Sequence, residues 1–306
     1  MGLLNHIGVN RNGFSLLLCS KIYATFVRPK FEYGLAIAKL SPADTKALEK
    51  LQDRCLRLFV GGHATSSTTV LKHMTDLPSM KFRCEVLSAR FALRSLSLPP
   101  SCLLSLLIPS LRVSRLEVYL KSTPLYLAIP SPAPDSPAKF RSFLRSYRQN
   151  KFDVFLSTTD QVLIRACRPL LGVDPVLFVP CSRTDRSRLV RWRLGWLPGR
   201  PEPCLCNRDT TSRNHFIDCD AVPVSFWMDL PSCPPDTHPI DFAISSLPSS
   251  GSAPCPLWWP ALVAILRCVD VACHPTKIFP ADPSPGSLWM KLFPPSRPLG
   301  LPPLYV

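Results

Sequence analysis

The chain has 306 residues, long enough for two modest domains, and 46% of them are hydrophobic, enough for a packed core. Its 36 Lys and Arg residues against 21 Asp and Glu give a net charge of +15, which favours a polyanionic partner, with nucleic acid as the first candidate. A membrane is the competing partner, but the sequence has no apolar span of about 20 residues, so we expect no membrane association.

Cysteine and proline usage constrain the class of protein further. The 13 cysteines are an odd number without a signal peptide ahead of them, which predicts free thiols and metal ligands in a reducing compartment. We therefore expect an intracellular protein, nuclear or cytoplasmic, and not a secreted one. The 35 prolines are about twice the roughly 5% expected, and 18 of them follow Val222, so the C-terminal third is predicted to be the least compact part.

The first 111 residues predict a small helical bundle, so the fold class is mainly α. An apolar stretch at 14–27 indicates a buried helix that Pro29 should stop one turn later. The next helix starts at Ser41-Pro42-x-Asp44, which supplies a cap, a proline in the first turn and an acid, and it ends at Gly61. Its predicted inward face comprises Ala47, Leu48, Leu51, Cys55, Leu58 and Phe59.

A further helix of this bundle is predicted at 80–96. It places Phe82, Val86, Ala89, Leu93 and Leu96 inward and Arg83, Arg90 and Arg94 outward. Residues 1–97 carry 14 Lys and Arg against 6 Asp and Glu, so the solvent face of the bundle is basic. Such a face is consistent with nucleic-acid binding and equally with simple solvation. An apolar turn or short helix follows at 102–108.

Residues 112–182 are predicted to be a proline-rich linker that contains one basic and aromatic helix. Five prolines fall within 122–138, and 139–152 alternates cations with aromatic residues and contains no acid. On a helix, the aromatic side chains form one stripe that can either dock on the bundle, which we favour, or stack on bases. The stripe comprises Phe140, Phe143, Leu144 and Tyr147.

The segment 183–235 carries the strongest functional signals, and the first is an alternation of arginines with apolar residues. Guanidinium groups beside flat rings suit phosphate contacts combined with base stacking. Trp192 and Trp196 would share one stripe of a helix, so core packing is the more frequent role for at least one of them. The predicted nucleic-acid contacts are Arg186, Arg188, Arg191, Trp192, Arg193 and Trp196.

The second signal is a Cys/Cys/His/Cys cluster. One residue separates Cys204 from Cys206, eight residues separate Cys206 from His215, and Cys219 follows His215 by four positions. Three thiols and one imidazole are the ligands that tetrahedral zinc prefers, and a closed set of four is typical of a structural Zn²⁺ site. Chance proximity is the alternative, because the chain has many cysteines and C-x-C is tighter than the usual spacing.

Residues 236–306 are predicted to be a proline-rich tail with one helix at 258–274. The inward positions of that helix are Leu262, Ile265, Leu266, Val269 and Ala272. The residues from Pro280 onward are expected to be disordered or loosely wrapped.

Two blocks of motifs resemble the region downstream of the catalytic palm in non-LTR retrotransposon reverse transcriptases of fungal type. The first is an RP-x-x-EYG motif at Arg28, Pro29, Glu32, Tyr33 and Gly34, followed by L-E-x-x-Q-x-x-x-L-R from Leu48. The second is the cysteine and histidine cluster, which in this chain has one residue between the first two cysteines where relatives more often have two. Together they span about 110 residues at the start and the block 183–219.

The resemblance implies a thumb that grips the template–primer duplex and a zinc knuckle that binds nucleic acid. The expected partners are RNA or DNA, as a single strand or a template–primer duplex, and an intact polymerase of the same element acting in trans is a further candidate. No Asp-Asp pair is present, and a polymerase needs neighbouring carboxylates for its metal ions, so we expect no polymerisation by this chain. The palm would lie upstream of Met1, which makes the chain a C-terminal fragment.

Two other functions compete with nucleic-acid binding. The chain could be a non-functional product of a decayed element, for which the C-x-C spacing and missing palm both argue. A remnant of a restriction-like endonuclease is the less favoured alternative. Such a nuclease needs clustered acids and a lysine; Asp236 and Asp241 are available, but no lysine follows them until Lys277.

Overall fold

The computed structural model of the chain describes residues 4, 6–10, 13–103, 121–131, 133–134, 136–279 and 284–295. Within these ranges the chain is mainly helical and has no strand, which confirms the predicted class; Pro203 and Thr210 form an isolated antiparallel bridge. Most of the predicted turn at 102–108, the start of the linker and the end of the tail lie outside the described residues. No helix within the described ranges combines the length and the apolar character needed to cross a membrane.

The helices of the described ranges are numbered here in chain order. They are α1 (Leu16–Ile22), α2 (Arg28–Glu32), α3 (Pro42–Val60), α4 (Thr68–Thr75), α5 (Met80–Leu96), α6 (Pro124–Leu127), α7 (Pro137–Thr158), α8 (Val162–Arg165), α9 (Arg183–Arg193), α10 (Val224–Met228), α11 (Pro239–Ser245), α12 (Trp259–Cys273) and α13 (Ser287–Leu292).

These helices belong to two compact units. The first unit comprises Met1–Thr68 and Asp76–Thr158, and the second comprises Thr69–Thr75 and Thr159–Val306. The second unit therefore includes most of α4, whose Met74 carbonyl accepts a hydrogen bond from the backbone N–H of Asp174 at 2.8 Å.

The first helical run of the first unit ends at Glu32, about one turn after Pro29, as predicted. α1 continues through a π-helical turn, Tyr23–Val27, into α2, so that the chain is helical from Leu16 to Glu32. Pro29 follows the π-helical turn, at the start of α2. A proline has no N–H to continue the helical hydrogen bonds and its ring clashes with the preceding turn of a regular α-helix, so the wider π-helical turn before it accommodates the ring.

The ends of α3 are those that the sequence predicts. The Ser41 hydroxyl accepts a hydrogen bond from the backbone N–H of Asp44 at 3.1 Å, and the Asp44 carboxylate accepts one from the N–H of Ser41 at 3.2 Å. Gly61 ends the helix in the left-handed region at φ 85°, which a residue without a side chain adopts easily.

The buried face of α3 differs from the predicted one. Leu51 and Leu58 are 45% and 38% exposed, whereas Gln52 is fully buried. The Tyr23 hydroxyl donates to the Gln52 carbonyl oxygen at 3.1 Å, and the Gln52 amide donates to the carbonyl of Pro78 at 2.9 Å. The amide side chain thus has both a donor and an acceptor partner, which removes most of the cost of burying it.

The aromatic stripe of α7 docks on the first unit, as we favoured from the sequence. Val86 and Ala89 of α5 are buried together with Leu125 of α6. The Phe82 and Tyr147 rings stack at 6.3 Å within this cluster. The partly buried side chains packed against it are Phe82, Tyr126, Ile129, Phe143, Leu144 and Tyr147.

α12 is the central helix of the second unit. All five side chains predicted to face inward are buried, and α9 and α10 pack against it. The side chains of α12 are mostly apolar, and its single acid, Asp270, is buried among them. Residues 236–279 therefore contribute much of the core of this unit, which does not fit a peripheral tail.

The described residues 284–295 also pack closely. Trp289 of α13 is fully buried, and its ring lies edge-on to that of Trp259 with 5.0 Å between centroids. The Trp289 indole N–H donates to the carbonyl of Ala253 at 3.1 Å. This part of the predicted tail is thus anchored by a large side chain in the core.

Candidate metal centre

The four cysteine and histidine residues lie on two short segments of the second unit. Cys204 and Cys206 lie in a tight reversal, where the N–H of Cys204 donates to the carbonyl of Asp209 at 3.0 Å and Asn207 has a φ of 57°. His215 starts a 3₁₀ turn, His215–Ile217, and Cys219 follows it. The reversal turns the chain sharply after Cys206, so that one intervening residue is sufficient to point both thiols the same way.

The ligand atoms of the four residues converge. All four lie within 4.8 Å of one another, with 3.7 Å between the Sγ atoms of Cys204 and Cys219 and 3.3 Å between Cys206 Sγ and His215 Nε2. Two sulfurs about 2.3 Å from a tetrahedral ion would be about 3.8 Å apart. The cysteines are free, and 3.7 Å far exceeds the roughly 2.05 Å of a disulfide. The group could therefore hold a metal ion such as zinc.

The thiols of this group have pKa values shifted in opposite directions. The backbone N–H of Arg208 is the main cause that lowers the pKa of Cys206 to about 7, and neighbouring thiols and His215 lower it further. Burial is the main cause that raises the pKa of Cys219 to about 12. Cys206 is therefore the thiol that ionises more readily, and a bound cation would favour the thiolate of Cys219 as well.

Arg213, two residues before His215, attaches the segment between the ligands to α9. The Arg213 guanidinium lies 4.5 Å from the centre of the Trp192 ring and donates to the Trp192 carbonyl and, at 3.1 Å, to the Asp241 carboxylate. Asp241 also accepts the indole N–H of Trp192 at 2.8 Å. His238 contacts the carbonyl of Arg213 at 3.0 Å. The segment between the ligands is thus held by buried polar contacts, not only by a metal.

The first two core arginines of α9 are paired with acids. Arg188, which is 5% exposed, contacts Asp185 at 2.9 Å and Asp270 at 3.0 Å. Arg191 donates two hydrogen bonds to Asp270, at 2.9 and 2.8 Å. Burial raises the pKa of Asp270, but the hydrogen bonds and charges of Arg191 and Arg188 outweigh it and lower the pKa below its usual value. The two arginines therefore bind α9 to α12.

The other predicted contacts are also used inside the protein. Arg186 donates to the carbonyls of Val176 and Val179, both at 2.6 Å. Arg193, which is 1% exposed, lies 3.4 Å from the Asp174 carboxylate and donates to the carbonyl of Ala166 at 2.7 Å. These contacts secure the segments that precede α9.

Burial of Arg188, Trp192 and Arg193 does not fit the phosphate and base contacts predicted for them. Each is 5% exposed or less, so a ligand could reach it only if the core opened. Arg186, Arg191 and Trp196 are partly exposed, and for them the predicted contact with nucleic acid stays a prediction. The alternative interpretation of the tryptophans, core packing for at least one of them, holds for Trp192.

The acids that pair with these arginines were missed by the sequence analysis. One signal was available, because Asp270 is the single acid in the apolar sequence of α12, and such an acid usually has a buried cationic partner. Asp241, considered as a nuclease carboxylate, is 5% exposed and bonded to Trp192 and Arg213. Within the described residues, the Cys/His group is the one set of three or more such side chains close enough to share a metal.

Comparison with known proteins adds no family to these observations. No known protein family, curated protein or solved structure matches the chain. The functional argument therefore depends on the residues themselves.

Proposed function

We propose that this chain is a nucleic-acid-binding, C-terminal part of a non-LTR retrotransposon reverse transcriptase. In this proposal the helical bundle of the first unit is the thumb-like part, and residues 202–222 are a zinc knuckle. The partner is RNA or DNA, and the proposal assigns no reaction to the chain itself.

One observation carries the proposal. Four side chains that the sequence singled out, Cys204, Cys206, His215 and Cys219, have their ligand atoms within 4.8 Å of one another. A closed set of four ligands leaves no open position for a substrate, so the metal would be structural. Zinc supplies a fixed cross-link when it is bound, and the rest of the module then keeps its shape through the contacts of Arg213.

The charge of the chain supports a polyanionic partner. A net charge of +15 concentrates anions at the surface and accelerates their association. Arg188 and Arg193 are paired with buried acids inside the protein, so the attraction for a polyanion must come from other cations, which are exposed. Arg191 is the partial exception, because its side chain is 26% exposed while it pairs with Asp270.

A metal measurement tests the site. We expect purified chain to bind one zinc ion, and C219S to retain none after gel filtration, because a serine hydroxyl is a much weaker zinc ligand than a thiolate. C233S is the matched control, since Cys233 lies in the same unit and donates to the carbonyl of Thr237 instead of joining the cluster. Equal zinc content in C219S and wild type would show that the cluster is not the metal site.

A titration tests the partner. Fluorescence anisotropy with a labelled single-stranded 20-mer, RNA or DNA, should show that log K falls with log salt by about 0.7 for each phosphate contacted. Zinc-loaded chain with no salt-dependent binding to either strand or to a duplex would contradict the proposal.

The second candidate function, a non-functional product of a decayed element, is favoured by one observation. The arginines predicted to contact phosphates are largely internal, so the surface of α9 offers less positive charge than its sequence suggests. This candidate predicts a folded, zinc-binding chain without affinity for nucleic acid, so the same two measurements separate it from the first.

A further inference from the structure

A groove in the first unit is lined by arginines from two helices. It has a volume of about 620 Å³ and lies between the second half of α5 and the start of α7. Its lining includes Arg90, Leu93, Arg94, Ser136, Phe140 and Arg141. We call this the arginine groove. All three arginines are exposed, unlike the buried arginines of α9.

Three guanidinium groups give the described part of the arginine groove a positive charge. Among the described residues that line it there is no carboxylate, and none of its three guanidinium groups forms an ion pair with a described residue. Arg83, about two turns before Arg90 on α5, differs, because Glu32 accepts two hydrogen bonds from it at 2.6 and 2.7 Å. Charges left uncompensated in a concave surface favour an anionic ligand.

The surroundings of Arg90 support this assignment. Burial is the main cause that lowers its pKa, and the cations of Arg83 and Arg141 lower it further. Its guanidinium lies 5.7 Å from the centre of the Phe140 ring, which is 7% exposed and orients the group. An anion in the groove would relieve the repulsion among these cations.

The size and shape of the groove indicate a chain of phosphates more than a single ion. Its arginines come from two helices, and its volume is within the roughly 300–1,000 Å³ of small-molecule sites, which is more than a single ion needs. The N-terminus of α7, a helix of 22 residues, adds partial positive charge at the same place. Arginine suits this role because its planar group matches two phosphate oxygens at once.

We propose that the arginine groove binds the phosphodiester backbone of a nucleic-acid strand. This inference rests on the proposed function and names the surface that performs it. It also assigns the contacts to residues of the first unit, and not to the residues of α9 that the sequence indicated.

The test compares two double variants of equal charge in the full, zinc-loaded chain. R94Q/R141Q removes two cations of the groove and leaves Arg90 packed on Phe140. R54Q/R183Q is the control, because both of these arginines are exposed and neither forms an ion pair with a described residue. Binding of a labelled 20-mer RNA, a DNA of the same sequence and a duplex is followed between about 50 and 200 mM salt, the range in which counterion release dominates.

Each phosphate contact to a single strand contributes about 0.7 to the slope of log K against log salt. If both arginines contact phosphates, R94Q/R141Q should therefore lower this slope by about 1.4 and weaken single-strand binding about 25-fold at 0.1 M salt. The control should keep the slope of wild type. R94K/R141K should recover most of the slope, because a lysine charge also releases counterions. Equal circular dichroism and melting of all variants would exclude unfolding as the cause.

Three results would overturn the inference. Wild-type binding in R94Q/R141Q would show that the strand lies elsewhere, and the proposed function would survive. Equal losses in R94Q/R141Q and the control would indicate attraction by net charge alone. Loss of binding to vesicles of phosphatidylcholine and phosphatidylserine, with RNA and DNA binding unchanged, would assign the groove to a lipid surface. Absence of any nucleic-acid binding by wild type would instead contradict the proposed function itself.

Discussion

Asp270→Asn should destabilise the second unit more than any exposed charge change, because Asp270 is the shared partner of two arginines. Its carboxylate is 2% exposed and accepts hydrogen bonds from Arg188 at 3.0 Å and from Arg191 at 2.9 and 2.8 Å. An asparagine keeps the size but loses the charge and replaces one acceptor oxygen by a donor. Removing one partner of a buried ion pair costs about 3–5 kcal/mol, since the other charge stays buried.

The assay uses the distribution of tryptophan in the chain. All 6 tryptophans lie beyond residue 159, in the second unit, so urea unfolding followed by tryptophan fluorescence reports on that unit alone. We expect the free energy of unfolding to fall by about 3–5 kcal/mol in D270N.

Asp220→Asn is the matched control. Asp220 pairs with Arg208 at 2.6 Å, a shorter distance than any in the Asp270 network, but the two side chains are 68% and 62% exposed. An exposed pair contributes at most about 1 kcal/mol, so D220N should be nearly neutral. Equal losses in the two variants would refute the reasoning, because burial and not distance is what distinguishes them. A neutral D270N would show that the two ion pairs of Asp270 do not stabilise the contact between α9 and α12.

Two further predictions concern pH and a buried amide. Because Arg191 and Arg188 hold the pKa of Asp270 below its usual value, the difference in stability of the second unit between wild type and D270N should be constant from pH 7 to 5 and should shrink as pH drops through the folded pKa of Asp270, below about 4. A difference that grows below about pH 4 would contradict this sign. Gln52→Leu should destabilise the first unit by about 1–3 kcal/mol, measured by circular dichroism, because it leaves the Tyr23 hydroxyl and the Pro78 carbonyl without partners. Gln149→Leu is its control, since Gln149 bonds to Asp153 on the exposed side of α7, and an equal loss there would remove the argument from burial.

The helices were predictable where local chemistry specifies them. The cap at Ser41 and the glycine at Gly61 determine the ends of α3 through contacts within a few residues. The apolar period of α12 correctly identified its buried face, because a helix that is apolar on most sides has few alternatives. The α3 face was predicted wrongly, because the partners of Gln52 are 29 and 26 residues away in the chain.

The ligand set of the candidate metal centre was also accessible from sequence. Cysteine and histidine have few other reasons to cluster within 16 residues, and the identity of the side chains carries most of the chemistry. What the sequence left open was whether the C-x-C spacing lets both thiols face one point. The turn at Asn207, with its positive φ, answers this, and such a backbone conformation depends on the contacts of Cys204 with Asp209.

Residue identity alone thus determined the helical class, the charge and the four candidate ligands, because these depend on composition and on neighbours along the chain. Tertiary structure decided which arginines face solvent. Arg188 and Arg193 look the same in sequence as Arg94 and Arg141, and only the folded chain places Asp270 and Asp174 beside the first two. Since a cation is available to a ligand only when no buried acid holds it, the interaction surface could not be read from the pattern of arginines.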